Sequence, residues 1–235
     1  MQGRRGRNRR QSRLLRIVLT LALGTVLLPL TTVSPPPPPP IPYPVYFLGD
    51  SITAGRAATL PRYTYRERLV ADLRRDKRRN VMEMGRWGSG WRAANTLGAV
   101  DADPPSANTA VIVVEIGTND VSGNLSGTNV TNPATFDAEY SQLIAEVQSA
   151  APSATFVCLS VWWPAQAAIA YNATIARDCP GGHYADITSM FADSAFHGPA
   201  GVPEDWYFPH WTTDTFHPNN AAMAAIAQLI ETWLV

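Results

Sequence analysis

No acidic residue occurs before Asp50, and the whole chain has only two cysteines and four histidines. No segment repeats. His183, His197 and His210 are too scattered to form a metal-ligand cluster, and Cys158 and Cys179 have no ligand-like neighbours. The sequence therefore calls for no metal and no other cofactor. Beyond residue 40 the balance turns acidic, with 12 basic against 19 acidic residues and a net charge of −7. Such a surface repels phosphate backbones, which argues against a nucleic-acid partner. Nothing in the pattern asks for a second copy, and a monomer is the expectation.

The first 40 residues are a different material. Seven of the 19 basic residues lie in the first 16 positions, and the run LLRIVLTLALGTVLLPL from Leu14 to Leu30 follows them. A basic start followed by an apolar core reads as an export signal. No A-x-A cleavage site appears, and the 17 residues from Ile17 to Val33 approach the length of a membrane span. Residues 1–34 are thus either a cleaved signal peptide or a retained anchor, the latter leaving the domain outside. Residues 35–44, with Pro35 to Pro40 unbroken, read as a stiff polyproline II spacer. In an exported chain the cysteine pair suggests a disulfide between Cys158 and Cys179, with two buried thiols as the alternative.

Residues 45–235 alternate short apolar runs with helical patterns. Strands are expected over Val45–Leu48, Val81–Met84, Thr109–Ile116, Thr155–Val161 and His183–Ile187. Helices are expected over Tyr63–Arg75, Pro133–Ala150, Ala165–Arg177 and Asn219–Leu234. Gly85–Gly90, Gly117–Asn132 and Thr188–Thr213 read as loops. The alternation predicts a three-layer α/β/α sandwich around a mostly parallel five-stranded sheet, a flavodoxin-like arrangement.

In such a sheet the reactive groups belong at the carboxyl ends of the strands. The first strand runs into Gly49-Asp50-Ser51, the third into Gly117-Thr118-Asn119-Asp120, and the fifth leads to Asp214-Thr215-Phe216-His217. A serine hydroxyl needs a base to become a nucleophile. His217 can serve, and Asp214, three residues earlier, can orient it. The oxyanion formed on attack needs fixed donors, which the Ser51 N–H, the Asn119 amide and the Gly88 N–H can supply. Asp50 and Asp120 read as structural, bonding loop amides. Alone, each motif also fits a helix cap or a turn; their order along one chain is what points to catalysis.

FLGDSITAG, GTND and DTFHPN together resemble the blocks of the SGNH, or GDSL, hydrolase family, over nearly all of residues 45–235. The resemblance implies a serine esterase working through an acyl-enzyme. It implies Ser51 as nucleophile, Asp214 and His217 as its partners, and Gly88 and Asn119 with the Ser51 amide as the oxyanion hole. One block departs: Glu83 stands where the family has asparagine, which leaves both Gly88 and Gly90 as donors. Trp162, Trp163, Trp206 and Trp211 fall in loops near the catalytic edge, able either to stack on sugar rings or to roof the core. The expected substrate is a short acyl ester, acetyl first, on a small molecule or an acylated glycan. An acyltransferase, a longer-chain lipase or thioesterase, and a non-catalytic glycan-binding module on the same scaffold are the alternatives.

Overall fold

The structure, a computed structural model, describes residues 41–76, 80–123, 129–207 and 209–234. The signal or anchor segment and residues 35–40 of the spacer lie outside the described residues. A five-stranded sheet, order β2-β1-β3-β4-β5, is parallel at every pairing. The chain runs β1 (Pro42–Gly49), α1 (Ser51–Ala54), α2 (Tyr65–Asp76), β2 (Asn80–Trp87), α3 (Ala93–Ala102), β3 (Val111–Glu115) and α4 (Thr118–Ser122). It continues through α5 (Pro133–Ala150), β4 (Thr155–Leu159), α6 (Ala165–Asp178), β5 (Tyr184–Ala185), α7 (Thr188–Phe191) and α8 (Asn220–Glu231).

Period-two alternation along the strands divides the core into two layers. Val45, Phe47, Val111, Val113, Val157 and Leu159 pack against Leu69, Val70 and Leu73 of α2 and Met223, Ile226 and Ile230 of α8. Tyr46, Leu48, Ile112, Val114, Phe156 and Cys158 face the other way, against α3, α5 and α6. The α5 stripe Phe136, Tyr140, Leu143, Ile144 and Val147 is buried along one face, the spacing a helix of 3.6 residues per turn dictates. Pro133 at its first turn and the Asn132 side chain on the Ala134 N–H start it. β3 is buried at all five positions, as a central parallel strand covered on both faces must be.

Several boundaries differ from the sequence reading. β1 begins at Pro42, so Pro42 and Pro44 belong to the sheet and not to a spacer. The Pro44 carbonyl accepts from the Ala110 N–H, which turns the missing proline N–H toward the side where pairing with β3 has yet to begin at Val45. β2 extends through Gly85 to Trp87, absorbing half of the expected loop. α3 was not foreseen: it buries only Ala93, Thr96 and Val100, too thin a stripe to read. α4 and α7 stand inside stretches that read as irregular. Cys158 on β4 is joined to Cys179 at the end of α6, with Cα atoms 5.9 Å apart and 21 residues of separation. Closing a loop of that order stabilises the fold by ~3 kcal/mol in the chain-entropy account.

The strand order reverses at β1, with β2 on one side and β3 on the other. The crevice beyond the carboxyl ends of β1 and β3 is therefore the topological switch point, where open α/β sheets bind ligands.

Candidate active site

β1 delivers its last residue into very tight quarters. A Cβ on Gly49 would lie 2.0 Å from Thr53 Oγ1 and 2.5 Å from the Glu115 carbonyl oxygen, so only glycine lets the chain turn there. Asp50 then caps α1, its Oδ1 accepting from the Ile52 N–H at 2.8 Å. Gly55, at φ 98°, ends the helix after one turn. Ser51 is thereby held at the strand–helix junction with its Oγ 2.9 Å from His217 Nε2.

His217 comes from the far end of the chain. Asn219 caps α8 through the Ala221 and Ala222 amides and fixes the preceding turn through the carbonyls of Ala195 and His197. Asp214 Oδ2 lies 2.8 Å from His217 Nδ1, and its Oδ1 accepts the Phe216 and His217 amides at 3.0 and 2.8 Å. Burial opposes the charge of Asp214, but the His217 hydrogen bond, the His217 charge and those amides outweigh it and hold the carboxyl below its ordinary value. Burial lowers the His217 pKa against the pull of Asp214, with Arg56 adding to the lowering. The imidazole is neutral at neutral pH, with Nδ1–H donated to Asp214 and Nε2 free to accept the Ser51 proton. Arg56 lies on the outer side, Nη2 3.4 Å from Asp214 Oδ2 and its guanidinium 4.0 Å above the Trp211 ring. The buried Glu204, which accepts the Ala57 N–H, faces it.

Asn119, first turn of α4, reaches the same crevice from β3. Its Nδ2 donates to Asp50 Oδ2 at 2.8 Å and to the Trp91 carbonyl at 2.9 Å. Asp120 accepts the Ala93 N–H at 3.1 Å, tying the start of α3 to α4. Gly88 and Gly90 differ. The Gly88 N–H is directed at the Gly49 carbonyl, 3.3 Å away, prolonging the β1–β2 ladder. Gly90 has φ 76° and open space where a side chain would project. Glu83 pairs with Arg66, whose Nε donates to the Thr53 carbonyl and whose guanidinium lies 3.9 Å over the Trp87 ring. The Glu83–Arg66 pair thus braces α1 from below.

The tryptophans separate. Trp162 is fully buried, so it offers no face to a sugar; its reading as a substrate-stacking residue is corrected. Its Nε1 donates to the Phe216 carbonyl at 2.7 Å, and its N–H to Thr118 Oγ1 at 2.9 Å. It links the turn carrying His217 to the turn carrying Asn119. Trp163 is half-buried against Phe191 and Phe216. Trp206 donates Nε1–H to the Ala58 carbonyl at 2.8 Å and, with Trp211, borders the Arg56 side of the crevice. Arg56, Glu115 and Glu204 escaped the sequence reading. Glu115 alone left a trace there, as the single charge in the apolar run TAVIVVEI.

The GDSL-like lipase/acylhydrolase family model matches residues 47–225, and the chain belongs to that family. It is a carboxylic ester hydrolase with the SGNH α/β/α fold. No curated protein matches the chain by sequence. Among solved structures it is similar to the acetyl xylan esterase AlAXEase, at 19% identity and TM-score 0.59 over 82% of this chain and 100% of that one. It is similar to the lipase Lip_vut3 from a goat rumen metagenome, at 14% identity and TM-score 0.65 over 81% and 97% of the two chains. An extracellular lipase from Streptomyces rimosus aligns at 18% identity and TM-score 0.57, over 81% and 99%.

Proposed function

We propose that the chain hydrolyses short-chain carboxylic esters, acetyl esters of carbohydrates foremost, through an acyl-enzyme on Ser51. The observation that carries this reading is the unbroken line from Ser51 Oγ through His217 to Asp214. His217 Nε2 removes the Ser51 proton as Oγ attacks the ester carbonyl. The oxyanion is received by the Ser51 N–H, the Asn119 amide and a glycine N–H. Gly90 serves better than Gly88, whose N–H is already directed at the Gly49 carbonyl. Asn119 turns one amide hydrogen from the Trp91 carbonyl to the oxyanion. His217 then protonates the leaving alcohol, and a water activated by the same imidazole releases the acid.

The preference for a short acyl group on a polar scaffold rests on the half-buried Trp206 and Trp211 at the crevice and on the export reading of residues 1–34. Among the similar structures, an acetyl xylan esterase is consistent with it; the lipases there keep a longer acyl chain as the competing reading. The test is a p-nitrophenyl ester series from acetyl to octanoyl, run with Ser51→Ala as control, plus acetate release from acetylated xylan. A steep fall in kcat/KM with chain length is expected, and no more than ~1% activity in Ser51→Ala. A preference for octanoyl with no acetate released moves the assignment to a lipase or thioesterase. Transfer to an added alcohol in place of hydrolysis makes it an acyltransferase.

A further inference from the structure

Beneath Ser51 lies a polar cluster that this reaction does not consume. Asp50 and Glu115 are both fully buried; Asp50 directly follows Gly49, which the register sets beside Glu115, and the charge of Asp50 opposes ionisation of Glu115. Two like charges buried side by side are far costlier than one, so one of the two carboxyls keeps its proton. The other partners show where it sits. Asp50 already accepts from the Ile52 N–H and from Asn119, both at 2.8 Å. Glu115 Oε2 accepts from the Thr53 hydroxyl at 2.9 Å, itself 2.7 Å from the Tyr65 hydroxyl. Glu115 Oε1 is buried and meets no donor; it is the oxygen with room for a hydrogen.

The surroundings do not relieve the pair of its proton. From α2, Tyr65 bonds Thr53, and Arg66 directs its guanidinium at the Thr53 carbonyl and Glu83. From α4, Asp120 adds negative charge. From the loop before Asp214, Tyr207 lies within electrostatic reach of Asp50, and burial raises its own pKa. Burial pushes both carboxyls above their ordinary range, and for Glu115 the charge of Asp50 adds to it.

We infer that Asp50 and Glu115 hold one proton between them, and that Glu115 is a positioning residue acting through Asp50 on Asn119 and the Ser51 turn. Asp50 touches both halves of this floor: Oδ1 caps the helix bearing Ser51, and Oδ2 holds the Asn119 amide. The protonated Glu115 lets that carboxylate stay buried and pointed. Ionising both groups sets two like charges side by side, pushes Asp50 off its partners and loosens the oxyanion donor. The kinetic consequence rests on the roles of Ser51 and Asn119 proposed above; the shared proton does not.

The experiment compares wild type with Glu115→Gln and Glu115→Leu. Glutamine keeps a donor toward Asp50 and cannot ionise, whereas leucine removes the donor. A group whose folded pKa is raised contributes stability that is complete below its unfolded value, about 4.3 for glutamate, and is lost as pH rises toward the folded value. The Tm advantage of Glu115→Gln over wild type is therefore expected to grow from about pH 5 upward. Parallel Tm–pH curves overturn the shared proton, whatever the enzyme's activity. In kinetics, wild type is expected to show an alkaline fall in kcat, and Glu115→Gln to keep kcat within a few-fold at neutral pH and to lose that fall. Glu115→Leu is expected to lose kcat by ~10-fold or more with KM nearly unchanged, less than the ~100-fold typical of losing a donor outright. Wild-type kcat in Glu115→Leu overturns the positioning role. So does a folded Glu115→Gln that retains the wild-type alkaline limb, and that variant decides the matter if the leucine protein does not fold.

Discussion

The two sides of the crevice are held by different forces. The Ser51–Asn119 side is fastened by hydrogen bonds among buried polar groups: Asp50, Glu115, Thr53, Tyr65 and Arg66. The Asp214–His217 side rides on a long irregular stretch and, beside the Asn219 and Asp214 bonds that shape its turn, is packed by rings. Phe216 packs edge-on to His217 at 5.0 Å, Trp163 lies 5.6 Å from Phe216, and Trp162 lies 5.3 Å from His197. A strand end places its residue within a rigid register, so only the last few atoms need polar bracing. A loop has no such register and needs bulk beneath it. The polar side should answer to pH and to loss of single hydrogen bonds, and the ring side to loss of volume and of the few polar handles the rings carry.

The largest expected effect is on the polar side. Asn119→Ala should lower kcat by on the order of 100-fold or more, with KM little changed, if its amide acts on the developing oxyanion as proposed. Steady-state kinetics decide this, and a change confined to KM would assign Asn119 to ground-state binding. On the ring side, Trp162→Phe preserves most of the volume and deletes only the bond to the Phe216 carbonyl. It should lower stability by ~1–3 kcal/mol through that unpaired carbonyl, and kcat about 10-fold through a displaced His217. Denaturant unfolding and kcat are the measurements; an unchanged kcat would mean that shape alone holds His217. The smallest effect separates charge from packing. Wild type should keep activity to below the ordinary histidine value of ~6.5, because His217 works only when neutral and its pKa is lowered. Arg56→Gln removes a cation that adds to that lowering, so the acid limb of kcat/KM should move to higher pH by a fraction of a unit. A limb that stays in place would show that the charge of Arg56 does not set the His217 titration.

The same contrast governs what could be read from the sequence. Ser51 and Asn119 were legible because short polar motifs interrupt apolar strands, and the side that a strand end faces follows from the fold. Asp214 and His217 were legible as a spaced pair just before an alanine-rich helix. What held them was less so. Trp162 read as a loop residue because it directly follows the strand expected over Thr155–Val161, and nothing local says that the chain turns back under Phe216. Arg56 and Glu204 meet across 148 residues, a separation that no local pattern encodes. α3 escaped because alanine, asparagine, threonine and glycine bury too little to show a period. The prolines of β1 looked like the tail of the spacer because the missing N–H is tolerated only at a side of the strand that the sequence does not reveal.

Those prolines also set a direction. Pro42 opens the strand just past whose other end Ser51 stands, and eight residues at ~3.3 Å each make that strand about 26 Å long. Whatever precedes Ile41 joins the domain at the amino edge of the sheet, and the crevice opens at the carboxyl edge. The rim that carries Ser51 therefore stands clear of that junction, at the far end of the strand.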